Sequence, residues 1–306
     1  MTRPSIALIP NLMAGRGRAL RLARQVNGNL AEWDIQVIAP TSAEGLTRAC
    51  AALDPARMKA AIVLGGDGSC NRAIRGLTRS GVPLYPFPAG LANDLHGARG
   101  LRQDWTQVGR LLASGSHSPV DLVEANGIPF ATVGGLGGAA EVVRRFDAFR
   151  ASGPIHRRLV QAVGADMYSL IATRVLMIGP SVTRRLRLEV DGESRILDVM
   201  SLLVARQAVL GGTFNLGPSL APEGGFTVIA LPAGGRLHHL RQLAALRLPW
   251  LGSDQLVFGA RELVVEDVNG TPLRAFGDGE ILVEAPRVVF RVRRAALRIY
   301  EEREAG

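Results

Sequence analysis

Lysine is almost missing from this chain: Lys59 is the single one, and nearly all of the 36 basic residues are arginine. A phosphate loop of the Walker type needs a lysine after its glycines, and a protein kinase needs one on a strand facing the phosphates, so both schemes are excluded. Cysteine is equally scarce, with Cys50 and Cys70 alone. Neither a disulfide framework nor a thiolate metal cage is suggested by that pair, which fits a reducing compartment. Aromatics make up 5% of the chain, too few for a visible stacking platform, so no nucleic-acid partner is expected. No window reaches the roughly 18 uncharged apolar residues of a membrane span. The best candidate, Leu159 to Ile178, carries Asp166 and Arg174. The apolar run after Met1-Thr2-Arg3-Pro4 ends at Pro10-Asn11, too early for a signal segment, and the expected location is the cytoplasm.

What is present is a chain of 306 residues, 47% hydrophobic and 21% charged, with a net charge of +9. These are globular values, and the length predicts two domains. A pI near 10.9 suits an anionic membrane surface, so the location narrows to a peripheral one at the inner membrane face. The arginine bias itself is read as overall composition ahead of selection for bidentate phosphate contacts.

The first third alternates short apolar runs with helical patterns, which is how a parallel α/β sheet reads. Strands are predicted at Ser5–Pro10, Ile35–Ala39, Ala60–Leu64 and Val82–Phe87. Helices are predicted from about Arg18 to Leu30, from a cap at Thr41 or Ser42 to Leu53, and from Cys70 to Thr78. After Val120-Asp121-Leu122 the pattern becomes short alternating strands: Phe130–Val133, Leu186–Val190, Ile196–Val204, Phe226–Leu231, Leu263–Val265, Ile281–Glu284 and Val288–Val292. Regular short strands argue for a β-sandwich, interrupted by a helix from Ile155 to about Met177. The domains are therefore expected at residues 1–122, with the tail from about 294 to 306 able to return to it, and at 123–293.

Three strand-to-helix loops carry glycines and should line up along the carboxyl edge of the first sheet, where open α/β folds bind ligands. The strongest is Gly65-Gly66-Asp67-Gly68-Ser69. Its glycines let backbone amides approach an anion, the following helix adds its positive end, and Ser69 adds a hydroxyl. Asp67 would repel a phosphate unless a divalent cation lay between, which predicts Mg²⁺. The plain alternative is a tight turn with Asp67 as a cap. Pro88-Ala89-Gly90-Leu91-Ala92-Asn93-Asp94 repeats the logic, with ordinary helix capping as an equal reading. Asn11 to Gly17 resembles half of a dinucleotide fingerprint, but Leu20 stands where the third glycine belongs. Asp278-Gly279-Glu280 reads by itself as a hairpin turn. The five histidines show no zinc spacing, and His238-His239 reads as a pair on a helix surface.

Taken together, Asn11–Gly15, Gly65 to Ser69 with Asn71, Pro88-Ala89-Gly90 with Asn93-Asp94, and Asp278-Gly279-Glu280 resemble, in order and spacing, the diacylglycerol kinase catalytic family of lipid kinases. That family includes sphingosine, ceramide and bacterial diacylglycerol kinases. The resemblance extends over nearly the whole chain, with Val120 to Val123 similar to the domain junction and Gly211-Gly212 to Phe226 similar to a sandwich loop. It implies an α/β nucleotide-binding domain, a β-sandwich domain for the lipid substrate, an active site between them, and ATP with Mg²⁺ as cofactors. Carried across, it implies nucleotide contacts at Asn11, Gly15, Thr41, Gly65, Gly66, Asp67, Gly68, Ser69, Asn71, Gly90 and Asn93. Glu280, Asp278 and Asp94 would be the catalytic acids, with Glu280 the base and Asp67 and Asp278 toward the metal. An alcohol acceptor needs such a base, and the transferred phosphoryl group needs cations.

The chain departs from the family at Leu12, Arg72 and Leu91, where Pro, Glu and Thr are usual. In place of the Asp-Asp-Gly with which many bacterial members bind a structural Mg²⁺, it has Pro222-Glu223-Gly224. The expected function is phosphorylation of a lipid hydroxyl, on ceramide or a sphingoid base, or on diacylglycerol. The alternatives are a catalytically decayed lipid or nucleotide binder and an NAD-type enzyme. A second copy of the chain is left open as a homodimer partner. The arginines Arg144, Arg145, Arg150, Arg157 and Arg158, with Phe146, Phe149, Ile155 and Leu159, predict a basic amphipathic membrane surface, against the plain reading of a solvated helix face.

Overall fold

A computed structural model describes residues 3–11, 18–28, 30–89, 93–97, 99–163, 166–178, 183–206, 209–210, 214–215, 220–248 and 254–302. The chain divides into two units, Met1–Leu122 with Arg294–Gly306, and Val123–Arg293.

Unit 1 is built on central strands whose side chains are nearly all apolar, because both faces are covered, with a short, mostly exposed edge strand. β1 (Ser5–Pro10) is followed by α1 (Arg18–Arg24), β2 (Asp34–Val37), α2 (Ala43–Ala51), β3 (Met58–Gly65), α3 (Asp67–Ser80) and β4 (Leu84–Pro88). The short α4 (Asp94–Gly97), α5 (Trp105–Ser114) and β5 (His117–Ala125) follow. The strands pair in parallel in the order β2-β1-β3-β4. Ile6, Leu8, Ile62, Leu64, Tyr85 and Phe87 share one core with Trp105 and Leu111, and Phe87 stacks on Trp105 at 4.3 Å between ring centres. Ser42 caps α2 by accepting from Gly45 N at 3.0 Å, which decides between it and Thr41. Asp104 caps α5 in the same way, and Gly81 ends α3 in the left-handed conformation that glycine enters without cost. The residues from Arg294 on belong to this unit, where Arg99 holds Glu301 at 2.8 Å and Gln107 and Arg110 each reach Glu302 at 2.6 Å.

One contact fixes how α2 and α3 meet. A Cβ on Gly76 would lie 2.4 Å from the Thr47 carbonyl oxygen and 2.5 Å from the Cys50 Cβ, so the helices touch through backbone. Gly76→Ala is expected to lower unfolding stability by about 1–3 kcal/mol through overpacking, read as a shift in the urea midpoint at unchanged slope. Cys50 is sealed in this seam, and burial pushes its thiol up to about 12, which removes it as a nucleophile at neutral pH.

Unit 2 begins with β6 (Ile128–Phe130), β7 (Val133–Gly137) and three helices, α6 (Gly138–Ala151), α7 (Pro154–Val163) and α8 (Asp166–Ile178). It continues with β8 (Arg184–Val190), β9 (Glu193–Ala205), the two-residue strands β10 (Val209–Leu210) and β11 (Phe214–Asn215), β12 (Phe226–Pro232) and α9 (Arg236–Arg247). β13 (Leu256–Ala260), β14 (Glu262–Asp267), β15 (Leu273–Gly277), β16 (Glu280–Ala285) and β17 (Arg287–Tyr300) complete the fold. All the registered pairings within this unit are antiparallel. β9 joins two layers: Glu193 to Val199 pair with β8, while Ser201 to Ala205 lie between β7 and β12. One layer runs from β9 through β8 and β14 to β17, the other from β16 through β15, β7 and β9 to β12 and β13. Alternate residues from both, including Phe130, Leu188, Leu202, Val228, Val265 and Phe290, form one core. This is the sandwich logic of two inner faces packed together.

The structure corrects several boundaries. α3 starts at Asp67, not Cys70, so the glycine-acid sequence is the first turn of the helix itself. The single helix expected from Ile155 to Met177 is two, α7 and α8, with α6 before them. The strand expected at Phe130–Val133 is broken between β6 and β7, for a reason given below. His239 is buried at 5% exposure on α9 instead of lying on its surface, and burial lowers its pKa, with His238 adding to the shift.

Candidate functional site

In unit 1 the carboxyl ends of β1 and β3 and the start of α3 converge. Asn11 follows β1; its backbone amide donates to the Leu64 carbonyl at 3.0 Å, and its side-chain amide donates to the Ser69 hydroxyl at 2.6 Å. A Cβ on Gly65 would sit 2.4 Å from that hydroxyl oxygen, so the strand end must be glycine for Ser69 to fold onto it. Gly66 is the extended residue that starts α3, and it offers no side chain as a cap. The first amides of a 14-residue helix are thus presented by Gly66-Asp67-Gly68, the arrangement that suits an anion. Asn71, expected to face the nucleotide, is completely buried one turn into α3.

Asp67 is half-buried, and its carboxylate accepts from Leu95 N at 3.2 Å, tying the first turn of α3 to the start of α4. The glycine loop and the second loop are also joined by Ala89 N donating to the Gly65 carbonyl at 2.9 Å. Asn93 stands before α4 in the left-handed region at φ 55°, and its carbonyl accepts from His96 N and Gly97 N. His96 is buried behind this loop; burial lowers its pKa, opposed by the charge of Asp67. Asp94 is the first residue of α4. Gly15 and Gly90 lie outside the described residues, as do Gly211 and Gly212. Thr41 is exposed beyond β2. Arg72, the departure from the family's Glu, reaches Glu44 of α2 at 3.9 Å, and its carbonyl accepts from the Thr47 hydroxyl at 2.9 Å.

In unit 2 Asp278 and Gly279 are the two central residues of the β15–β16 hairpin, at φ 50° and 76°. Positive φ at both positions is the turn whose twist matches the strands. Two other hairpins share the design: Asn126-Gly127 between β5 and β6, and Asp191-Gly192 between β8 and β9. In each, the first turn residue reaches sideways to backbone amides of another segment. Val289 N donates to Asn126 at 2.7 Å, and Arg261 N and Glu262 N donate to Asp191 at 2.9 and 2.8 Å. Asp278 takes Ala131 N and Thr132 N on its two oxygens at 2.8 Å each, and the Thr132 hydroxyl at 2.5 Å. Those amides are turned to Asp278 and not into a ladder, which is why β6 and β7 are separate strands.

Asp278 is therefore built as a clamp of the turn, and Glu280 stands half-buried at the start of β16. Thr132 was not legible as part of the site, because it meets Asp278 across 146 residues of sequence. Asp278→Ala is expected to cost about 1–3 kcal/mol for each amide left unsatisfied and to lower the melting temperature, while the Mg²⁺ concentration dependence of any turnover stays that of wild type.

Among the described residues no group of three or more His, Cys, Asp or Glu is arranged to hold a metal ion. Mg²⁺ on a nucleotide does not need one, since one or two carboxylates complete a shell otherwise made of phosphate oxygens and water. Asp67, next to glycine amides, fits that requirement. The Pro222-Glu223-Gly224 turn is held differently: Gly225 N donates to the Pro222 carbonyl, and the Arg206 guanidinium donates to the Gly225 carbonyl, both at 2.8 Å. A cationic side chain stands at this loop.

Comparison with known proteins bears on this geometry directly. Residues 5–125 match the diacylglycerol kinase catalytic domain. The match spans the elements from β1 to β5 and so contains every unit 1 residue of the candidate site. Comparison with curated proteins returns no match. Among solved structures, two of a candidate diacylglycerol kinase from Bacillus anthracis str. Sterne are similar over 99% of this chain, at 18% identity and TM-score 0.75, covering 97% and 99% of those chains. A diacylglycerol kinase structure from the same organism is similar over 99% of this chain and 98% of its own, at 17% identity and TM-score 0.67. At this identity the likeness shows the fold: a diacylglycerol kinase-like α/β unit followed by an antiparallel one.

Proposed function

We propose that the protein is an ATP-dependent lipid kinase that phosphorylates a lipid hydroxyl. The observation that carries the reading is the glycine-acid start of α3, where Gly66-Asp67-Gly68 open a 14-residue helix at the end of a parallel strand, within the segment that matches the diacylglycerol kinase catalytic domain. Of the two acids of the hairpin turn, Asp278 accepts backbone amides on both oxygens, and we read Glu280 as the base. Unit 1 supplies the nucleotide side. The amides of Gly66 to Gly68 and the helix behind them hold phosphate oxygens, and Asn11 fixes the Ser69 hydroxyl, whose proton can point to an anion. Asp67 would hold the Mg²⁺ that offsets charge on the phosphates. Glu280 accepts the proton of the acceptor hydroxyl, which is a weak nucleophile at neutral pH. The acceptor class is ceramide or a sphingoid base ahead of diacylglycerol, supported by Pro88-Ala89-Gly90. The test is phosphate transfer from radiolabelled ATP to ceramide, sphingosine and diacylglycerol in mixed micelles; no transfer to any of them overturns the proposal.

The lipid must be reached at a surface, and we infer that this surface differs from the one expected from the sequence. Phe146 packs inward at 5% exposure. Arg144 and Arg145 are both held by Glu141, whose carboxyl they keep at about 2, chiefly through the Arg144 hydrogen bond, and Arg150 is held by Asp147. The apolar side chains left outside are Ile155 (70% exposed) and Leu159 on α7, Leu170 (58%) and Met177 on α8, and Leu237 (81%) on α9. Arg174 is exposed between Leu170 and Met177 on the same face of α8. We assign this face to an anionic bilayer. Among the described residues no helix is long and apolar enough to cross a membrane. Sedimentation is expected to retain more protein on anionic than on neutral vesicles, to weaken with salt, and to fall severalfold in Leu170→Ser with Leu237→Ser. Equal, salt-insensitive binding to both vesicle types would remove the assignment.

A further inference from the structure

One side chain of unit 2 stands over the acid turn without belonging to the hairpin. Tyr168 is in the first turn of α8, and its hydroxyl oxygen lies 3.1 Å from where a Cβ on Gly279 would be. Gly279 is the residue between Asp278 and Glu280, held at φ 76°. The phenol ring is not loosely placed. It stacks on Phe146 of α6 with ring centres 4.0 Å apart and planes within 11°, inside a small cluster completed by Val160 and Met167. Phe146 is itself buried, so the ring is packed from α6 and its polar end is delivered to the turn. A stacked aromatic that only filled space would do so equally well as phenylalanine; the hydroxyl is the part that meets the turn.

We propose that Tyr168 is a positioning residue for Glu280. Its hydroxyl, fixed over Gly279 by the stack on Phe146, holds the backbone of the acid turn and with it the direction in which Glu280 presents its carboxylate. Asp278 anchors the turn from the Thr132 side, and Tyr168 anchors it from α8, so the base is set between two supports. The glycine at 279 is then required twice, by its positive φ and by the close approach of the hydroxyl. This inference rests on the reading of Glu280 as the base.

The test uses full-length protein, radiolabelled ATP and mixed micelles of diacylglycerol, ceramide and sphingosine, with Tyr168→Phe, Glu280→Gln and the double variant. Tyr168→Phe keeps the ring and its stack, so its melting temperature should match wild type. Its kcat should fall by about tenfold, as when a reacting group is slightly misplaced, with the KM for ATP unchanged. In the Glu280→Gln background, Tyr168→Phe should add no further loss, because a group that acts only through the base has nothing left to position. Wild-type kcat in Tyr168→Phe, with Glu280→Gln inactive, overturns the inference and leaves the function standing. A full additional loss in the double variant also overturns it, because Tyr168 then acts independently of Glu280. Near-normal turnover in Glu280→Gln, or no transfer to any of the three lipids by wild type, takes down the function and the inference with it.

Discussion

Glu280→Gln should cut turnover by about 10²- to 10⁴-fold, the range expected when a positioned base is removed, while ATP affinity and melting temperature stay close to wild type. Glutamine keeps the shape of the side chain and the β-strand that Glu280 opens, where it pairs with Gly277. What it loses is the capacity to accept a proton as the alcohol oxygen attacks. The neighbouring acid cannot readily take over. Both Asp278 oxygens accept backbone amides, and moving a proton onto that carboxylate would weaken the contacts that separate β6 from β7. Single-turnover phosphate transfer together with calorimetric ATP binding separates the two effects. Glu280→Gln with nearly full turnover, beside Asp278→Asn with none and an unchanged Mg²⁺ dependence, would reverse the assignment and make Asp278 the base.

The parts of the molecule that could be read from sequence are those where one physical requirement dominates over a short stretch. Ser5 to Pro10 and Ala60 to Leu64 are unbroken apolar runs because a central parallel strand is covered on both faces, and β1 and β3 lie there. The start of α3 was placed three residues late because Gly66-Asp67-Gly68 are poor helix formers in a helix interior. At the first turn that penalty is small and the fit onto the strand end decides. Asp278-Gly279 could be read as a hairpin turn, and it is one. Its reach to Thr132 could not, since the partner lies in a segment with no local pattern of its own. The same holds for His239 and Phe146: their burial is decided by neighbours from distant parts of the chain, not by the polarity of the residues beside them. The catalytic reading of the turn came only from its company with the glycine loop, and the geometry adds the reason why the two acids differ.

Asp67→Asn is expected to lower turnover by orders of magnitude, of a size comparable with losses at other phosphoryl-transfer metal ligands, and to raise the Mg²⁺ concentration needed for half-maximal rate. The choice of asparagine matters because the observed loop contact and the proposed metal role ask different things of Asp67. Accepting the amide of Leu95 at 3.2 Å requires only an oxygen, and the asparagine carbonyl supplies it, so α3 and α4 stay joined. Holding a divalent cation against phosphates requires the negative charge, and that is gone. Asp67→Ala removes both, and its additional effect over Asp67→Asn should be seen as a lower melting temperature instead of a further fall in the metal-dependent step. Pairing the variants turns one carboxylate into two measurements, thermal melting for the loop contact and Mg²⁺ titration of the rate for the charge. If Asp67→Asn kept near-normal activity with an unchanged Mg²⁺ titration, the carboxylate would be a loop clamp alone, as Asp278 is in the other unit, and the cation would have to be held by phosphate and water without it.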